Sequence, residues 1–160
     1  MALTLAKWTL DDYHRMITAG MFTARHVELL NGEIVERPPE GPDNAGGSTS
    51  TREYLSDLLG KRVLVRDEKP ITLPLFGSEP EPDIAVVARQ DNFYRDRHLY
   101  PEDIFLLIEF SGSSLQKDLE EKRDIYAAVG ILEYWVVNLR DRKVITFRNS
   151  VDGQYQVQQE

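Results

Sequence analysis

The run Ile104-Phe105-Leu106-Leu107-Ile108-Glu109-Phe110 is the most hydrophobic strand-like stretch of the chain, and it carries one charge near its end. Side chains of a strand alternate between faces, so Glu109 shares a face with Phe105 and Leu107. An unpaired carboxylate there costs several kcal/mol and needs a metal ion, a cation or a raised pKa, unless it merely marks the strand's exit into solvent. Asp83 opens a second apolar run, Ile84 to Val87, after the proline-broken Glu79-Pro80-Glu81-Pro82. If the two runs pair antiparallel, Asp83 and Glu109 meet at one end of a sheet. The segment SSLQKDLEEKRDIYAAVG supplies a third group. Leu115, Leu119, Tyr126 and Val129 trace one helical stripe, and Lys122 falls inside it. A lysine so placed is either a snorkelling stem or a charge aimed at a partner. Because the helix follows Glu109 almost directly, it can fold back and point Lys122 at the acids, with Asp118 one turn earlier as a possible holder.

Two acids and a lysine at one sheet end have a definite chemistry. The carboxylates suit a hard divalent cation that polarises a phosphoryl oxygen and acidifies water, while the lysine orients that water or offsets developing charge. The reaction would be phosphodiester hydrolysis. The chain has no cysteine, and its three histidines, His14, His26 and His98, are scattered without ligand spacing. A thiolate metal site is thereby excluded and a histidine-rich one is disfavoured, so any metal is expected in carboxylates as a hard ion such as Mg²⁺ or Mn²⁺.

The elements that must position these groups follow from patterning. The chain of 160 residues, 41% hydrophobic and 29% charged, suits a single domain over residues 1–160 with a sizeable core. No stretch approaches the roughly 18 uncharged apolar residues of a membrane span. The N-terminus lacks the pattern of a signal peptide, so a cytoplasmic location is expected. Thr9 caps a short amphipathic helix that Gly20 closes. His26 to Arg37 reads as a hairpin around Asn31-Gly32. Pro38 to Gly47 reads as a loop, with a helix from Ser48 or Thr49 to Gly60. Strands are expected at Val63–Val65, Ile71–Leu73, Ile84–Val87, Ile104–Phe110, Glu133–Asn138 and Lys143–Phe147, with a helix from Ser113 or Ser114 to Val129. Apolar on both faces, Ile104–Phe110 should be central in the sheet. The expected class is α+β (mixed α/β), a central mixed sheet flanked by helices.

At these residues the sequence resembles a known family. PEPDIAVV, LLIEFSGSS and KDLEEKRDIYAAVGILEYWVVN are similar to the Uma-type family of restriction endonuclease-like proteins, a branch of the PD-(D/E)XK nuclease superfamily. The resemblance covers roughly Leu10 to Phe147 and implies a restriction endonuclease-like fold, with DNA as substrate. It implies that Asp83 and Glu109 bind Mg²⁺ and that a lysine assists the attacking water. Ser111 stands where that lysine would follow the acid, and the family's migrated lysine corresponds to Lys122. The hairpin ELLNGEIVE resembles the family's opening motif, which makes Glu33 a further candidate acid. The histidine that many relatives carry after the proline-rich segment is absent from PPEGPDNAGGST.

Two function classes stand at this point. One is a Mg²⁺-dependent DNA endonuclease. The other is a catalytically silent member of the fold acting as an interaction or scaffold module, which the net charge of −8 favours because polyanion binding draws on basic residues. A homodimer is expected, since Tyr134 to Val137 and Val144 to Phe147 offer more apolar surface than one small domain covers, and two dyad-related sites would cut both strands of a duplex.

Overall fold

The computed structural model describes residues 1–160. Helix α1 (Leu10–Thr18) begins where Thr9 and Asp12 cap each other's backbone, the expected N-terminus. Strands β1 (Val27–Leu30) and β2 (Glu33–Glu36) form a separate two-stranded hairpin. Its register pairs Leu30 with Glu33, and the turn between them takes positive φ at both Asn31 (49°) and Gly32 (74°). That is the geometry for which an Asn-Gly pair is suited.

Helix α2 runs Pro42–Leu59, six residues earlier than the expected Ser48. The proline sits in the first turn, where its missing N–H costs nothing. Tertiary packing recruits the small residues that follow. An added Cβ on Gly47 would lie 3.1 Å from the Phe110 ring, so the glycine lets the helix lie close against the sheet. Asn44 Nδ2 donates to Phe110 O at 2.9 Å and fastens the same contact.

The main sheet has six strands in the order β3 (Val63–Asp67), β4 (Ile84–Ala88), β5 (Ile104–Ser111), β6 (Glu133–Asn138), β7 (Lys143–Val151) and β8 (Gln154–Gln159). Only β5 and β6 are parallel. This is the mixed α+β architecture expected, with β5 internal. The expected strand Ile71–Leu73 instead makes isolated bridges, Ile71 to Leu99 and Leu73 to Ser78, outside the sheet. Strand β8, QYQVQQ, has too little apolar content to stand out in sequence, and pairing with β7 supports it.

Between β5 and β6 the chain forms α3 (Leu115–Lys117), a π-helical turn over Asp118–Lys122, and α4 (Arg123–Ala128). One face of the sheet packs against this element through Leu107, Tyr126, Tyr134, Val136, Ile145 and Phe147. The other face packs Ile84, Val86, Ile108 and Phe110 against Leu55 of α2. Much of the apolar surface expected to form a dimer edge is therefore used inside the chain. Tyr134, Val136, Ile145 and Phe147 are buried, and the part left half-exposed is Val144 and Val157.

The two glycines of α2 give a contrast. Gly46 has open space where a Cβ would stand, whereas Gly47 faces Phe110. Gly46→Ala should raise stability by about 0.5–1 kcal/mol through helix propensity and a restricted unfolded chain. Gly47→Ala should gain less or lose, because Phe110 must give way. Urea denaturation of the two variants checks the difference.

Candidate active site

Antiparallel pairing of β4 with β5 sets Ile84 opposite Ile108, which brings Asp83 to the end of β5 that carries Glu109. Asp83 Oδ2 accepts the Phe110 N–H at 2.6 Å. Its Oδ1 accepts from Arg37 Nη2 at 2.8 Å. Lys122 reaches in from the π-helical turn, with Nζ 2.8 Å from Glu109 Oε1 and 3.2 Å from Glu28 Oε2. Tyr126, on the same helical element, donates its hydroxyl to Glu109 Oε1 at 3.1 Å. Oε2 of Glu109 carries no hydrogen bond. The structure thus brings Asp83, Glu109 and Lys122 together, each no more than 3% exposed. All three line one cleft of about 460 Å³.

Glu33 lies elsewhere. It is exposed, pairs with Lys7 Nζ at 2.5 Å, and does not line the cleft. The hairpin acid next to Lys122 is Glu28, fully buried on β1. It also receives Lys117 Nζ at 3.0 Å and the Glu81 N–H at 3.1 Å. Its signal in the sequence is an acid inside the otherwise apolar VELL. Asp118 does not hold Lys122 closely, at 4.0 Å. It accepts instead from Ser111 Oγ at 2.6 Å and Ser114 Oγ at 2.7 Å, so Ser111 braces the helical turn that carries the lysine. Arg37 and Asn44 had no marker in sequence. Asn44, from the segment without histidine, lines the cleft, and its Oδ1 is buried without a hydrogen bond, as is Arg37 Nη1, which has Glu81 Oε2 at 3.6 Å.

Burial and charge crowding shape the titration of this group. Burial pushes Glu109 up to about 8, with Asp83, Asp118 and Glu28 adding to the rise against Lys122. Asp83 is also raised by burial, against the Phe110 N–H and Arg37. Glu28 goes the other way, to about 2, because Lys122 and Lys117 outweigh its burial. Lys122 stays charged: burial alone would lower it, but Glu109, Glu28 and Asp118 raise it above the ordinary lysine range. Five carboxylates, Glu28, Glu81, Asp83, Glu109 and Asp118, face three bases, Arg37, Lys117 and Lys122. Glu40 and Glu68 bring further carboxylate oxygens within 4.8 Å of that of Asp83. The donors are all oxygen and negative charge is in excess, so these residues fit a hard divalent cation.

Comparison with protein families matches residues 10–160 to Uma2, described as "Putative restriction endonuclease". No curated protein matches the sequence. Among solved structures, the chain is similar to a crystal structure titled "a putative nuclease belonging to DUF820", from Anabaena variabilis. The identity is 15% and the TM-score 0.72, covering 94% of this chain and 82% of the other. At that identity the likeness is one of fold, a nuclease-like fold.

The raised Glu109 carboxyl has a consequence for stability. Its proton is bound more tightly in the folded chain than in the unfolded one, so the contribution is full below the ordinary value of 4.5 and is lost as pH rises through about 8. Metal-free protein should therefore melt progressively lower across that window. Glu109→Gln, which cannot lose a proton, should flatten this part of the profile. Thermal melts in chelator-treated buffer across the pH range decide it.

Proposed function

This chain belongs to the Uma2 family, and on that premise we propose that it is a Mg²⁺- or Mn²⁺-dependent DNA endonuclease with Asp83 and Glu109 as the acids that hold the cation and Lys122 as the catalytic lysine. The observation that carries the reading is their convergence in one cleft, with an oxygen of Glu109 left uncommitted. When bound, a divalent cation supplies polarisation of the phosphoryl oxygen and a more acidic water. Lys122 keeps its proton, which suits it to donate to the incoming water or the phosphoryl oxygen rather than to act as the base. Tyr126 holds one oxygen of Glu109 in place. Arg37 offsets the charge of Asp83. Of the hairpin's acids, Glu28 is the one we assign to the site, as the counter-charge that keeps Lys122 buried and protonated.

The rival reading, a silent interaction or scaffold module, draws on the net charge of −8 and on an asparagine lining the cleft from the segment where many relatives have a histidine. A cleavage assay separates the two. Plasmid and single-stranded DNA are incubated with Mg²⁺ or Mn²⁺, and wild type should cut while chelator abolishes cutting. Asp83→Asn, Glu109→Gln and Lys122→Met should each slow it by about 10²-fold or more. Intact DNA under every condition supports the scaffold.

Cutting both strands of a duplex calls for two sites, and the assembly we propose is a homodimer. It would use the sheet face where Trp135 and Val137 are partly buried and Val144 and Val157 are half-exposed. Sedimentation at micromolar concentration should then give twice the monomer mass of 18.4 kDa. A single species at the monomer mass removes the dimer.

A further inference from the structure

Four cationic side chains line the cleft: Arg37, Lys117, Lys122 and Arg140. Three are already committed, Arg37 to Asp83, Lys117 to Glu28 and Lys122 to Glu109 and Glu28. The guanidinium of Arg140 makes no ion pair and no hydrogen bond, although the chain holds 27 acidic residues against 19 basic ones. Its neighbour Asp141 is drawn away, because Asn138 Nδ2 donates to Asp141 Oδ2 at 2.9 Å.

The turn that carries Arg140 is held rather than loose. The buried Asn138 accepts the N–H groups of both Arg140 and Asp141 through its Oδ1, each at 3.1 Å. Leu139 N–H donates to Ser111 O at 3.0 Å, which ties the turn to the end of β5, two residues beyond Glu109. The base of the Arg140 side chain therefore has a set position relative to the acids. Other parts of the lining, the loop before α2 and its first turn, contribute Glu40 and Asp43 and disfavour an anion there.

We propose that Arg140 anchors a backbone phosphate of the polynucleotide substrate at the mouth of the cleft. The inference rests on the nuclease reading above and names the residue by which that site grips its substrate. In a molecule with net charge −8, long-range attraction for a polyanion is weak, so the contact must come from a local, uncommitted cation. A guanidinium suits the task because its planar fork meets two phosphate oxygens at once.

Arg142 provides the control. It has the same charge on the same turn but does not line the cleft. The experiment measures binding of a short fluorescein-labelled DNA duplex by anisotropy in Ca²⁺ buffer across a salt series, and steady-state cleavage in Mg²⁺. Arg140→Gln should weaken binding about tenfold, reduce the salt slope by about one, and raise KM with kcat unchanged. Arg142→Gln should change none of these. If Arg140→Gln behaves as Arg142→Gln does, the anchor is overturned while the nuclease reading stands on wild-type cleavage. Wild type that neither binds nor cuts DNA overturns both.

Discussion

The buried ammonium of Lys122 is the constraint on which the arrangement depends. It is 1% exposed and lies among Glu28, Glu109 and Asp118, which come from β1, β5 and its own helical turn. A buried charge is tolerated only when it is paired and hydrogen-bonded, and removing one partner leaves the other uncompensated. Docking of the hairpin, the end of the central strand and the returning helix is therefore one electrostatic decision. Tyr126 and Lys117 complete it by taking lone pairs of the acids that Lys122 leaves unused.

The π-helical turn over Asp118–Lys122 is where local geometry yields to this demand. An α-helix interrupted by a wider turn re-aims its side chains, and such turns concentrate at functional sites. Here Ser111 and Ser114 secure Asp118 from below, and the Tyr134 hydroxyl donates to Asp118 O from β6. The Asp118 end of the turn is thus tied to β5 and β6, and Lys122 ties the other end to Glu109 on β5. Lys122 is in this way delivered to Glu109 from the helix, and Ser111, two residues beyond that acid, becomes part of the brace.

Acidity has two roles in this molecule. In the cleft, burial lifts Glu109 and Asp83, and neighbouring carboxylates add to the rise. Over the whole chain it removes the general attraction for polyanions that basic nucleic-acid-binding proteins enjoy. Arg37, Lys117 and Lys122 are absorbed in holding the acids, so their charge is directed inward.

Much of the site was legible because its signals are local. Glu109 at the end of an apolar strand, Asp83 at the mouth of another and Lys122 within an apolar stripe each violate a pattern, and the violations mark them. The Asn31-Gly32 hairpin and the Thr9 cap were legible for the same reason, since turn and cap chemistry reside in a few adjacent residues. Other features depend on what lies across the fold. Helix α2 begins at Pro42 because Gly47 meets Phe110, some sixty positions away, and no window of sequence contains both. Strand β8 exists because β7 offers it an edge, not because its glutamines favour one. Register puts Glu28 and Glu33 on one face of the hairpin, and docking alone decides that Glu28, farther from the turn, meets Lys122 while Glu33, beside the turn, stays exposed with Lys7. The residue types and their local spacing determined the chemistry available, while tertiary structure decided which charges meet, because burial makes pairing obligatory only once the elements have packed.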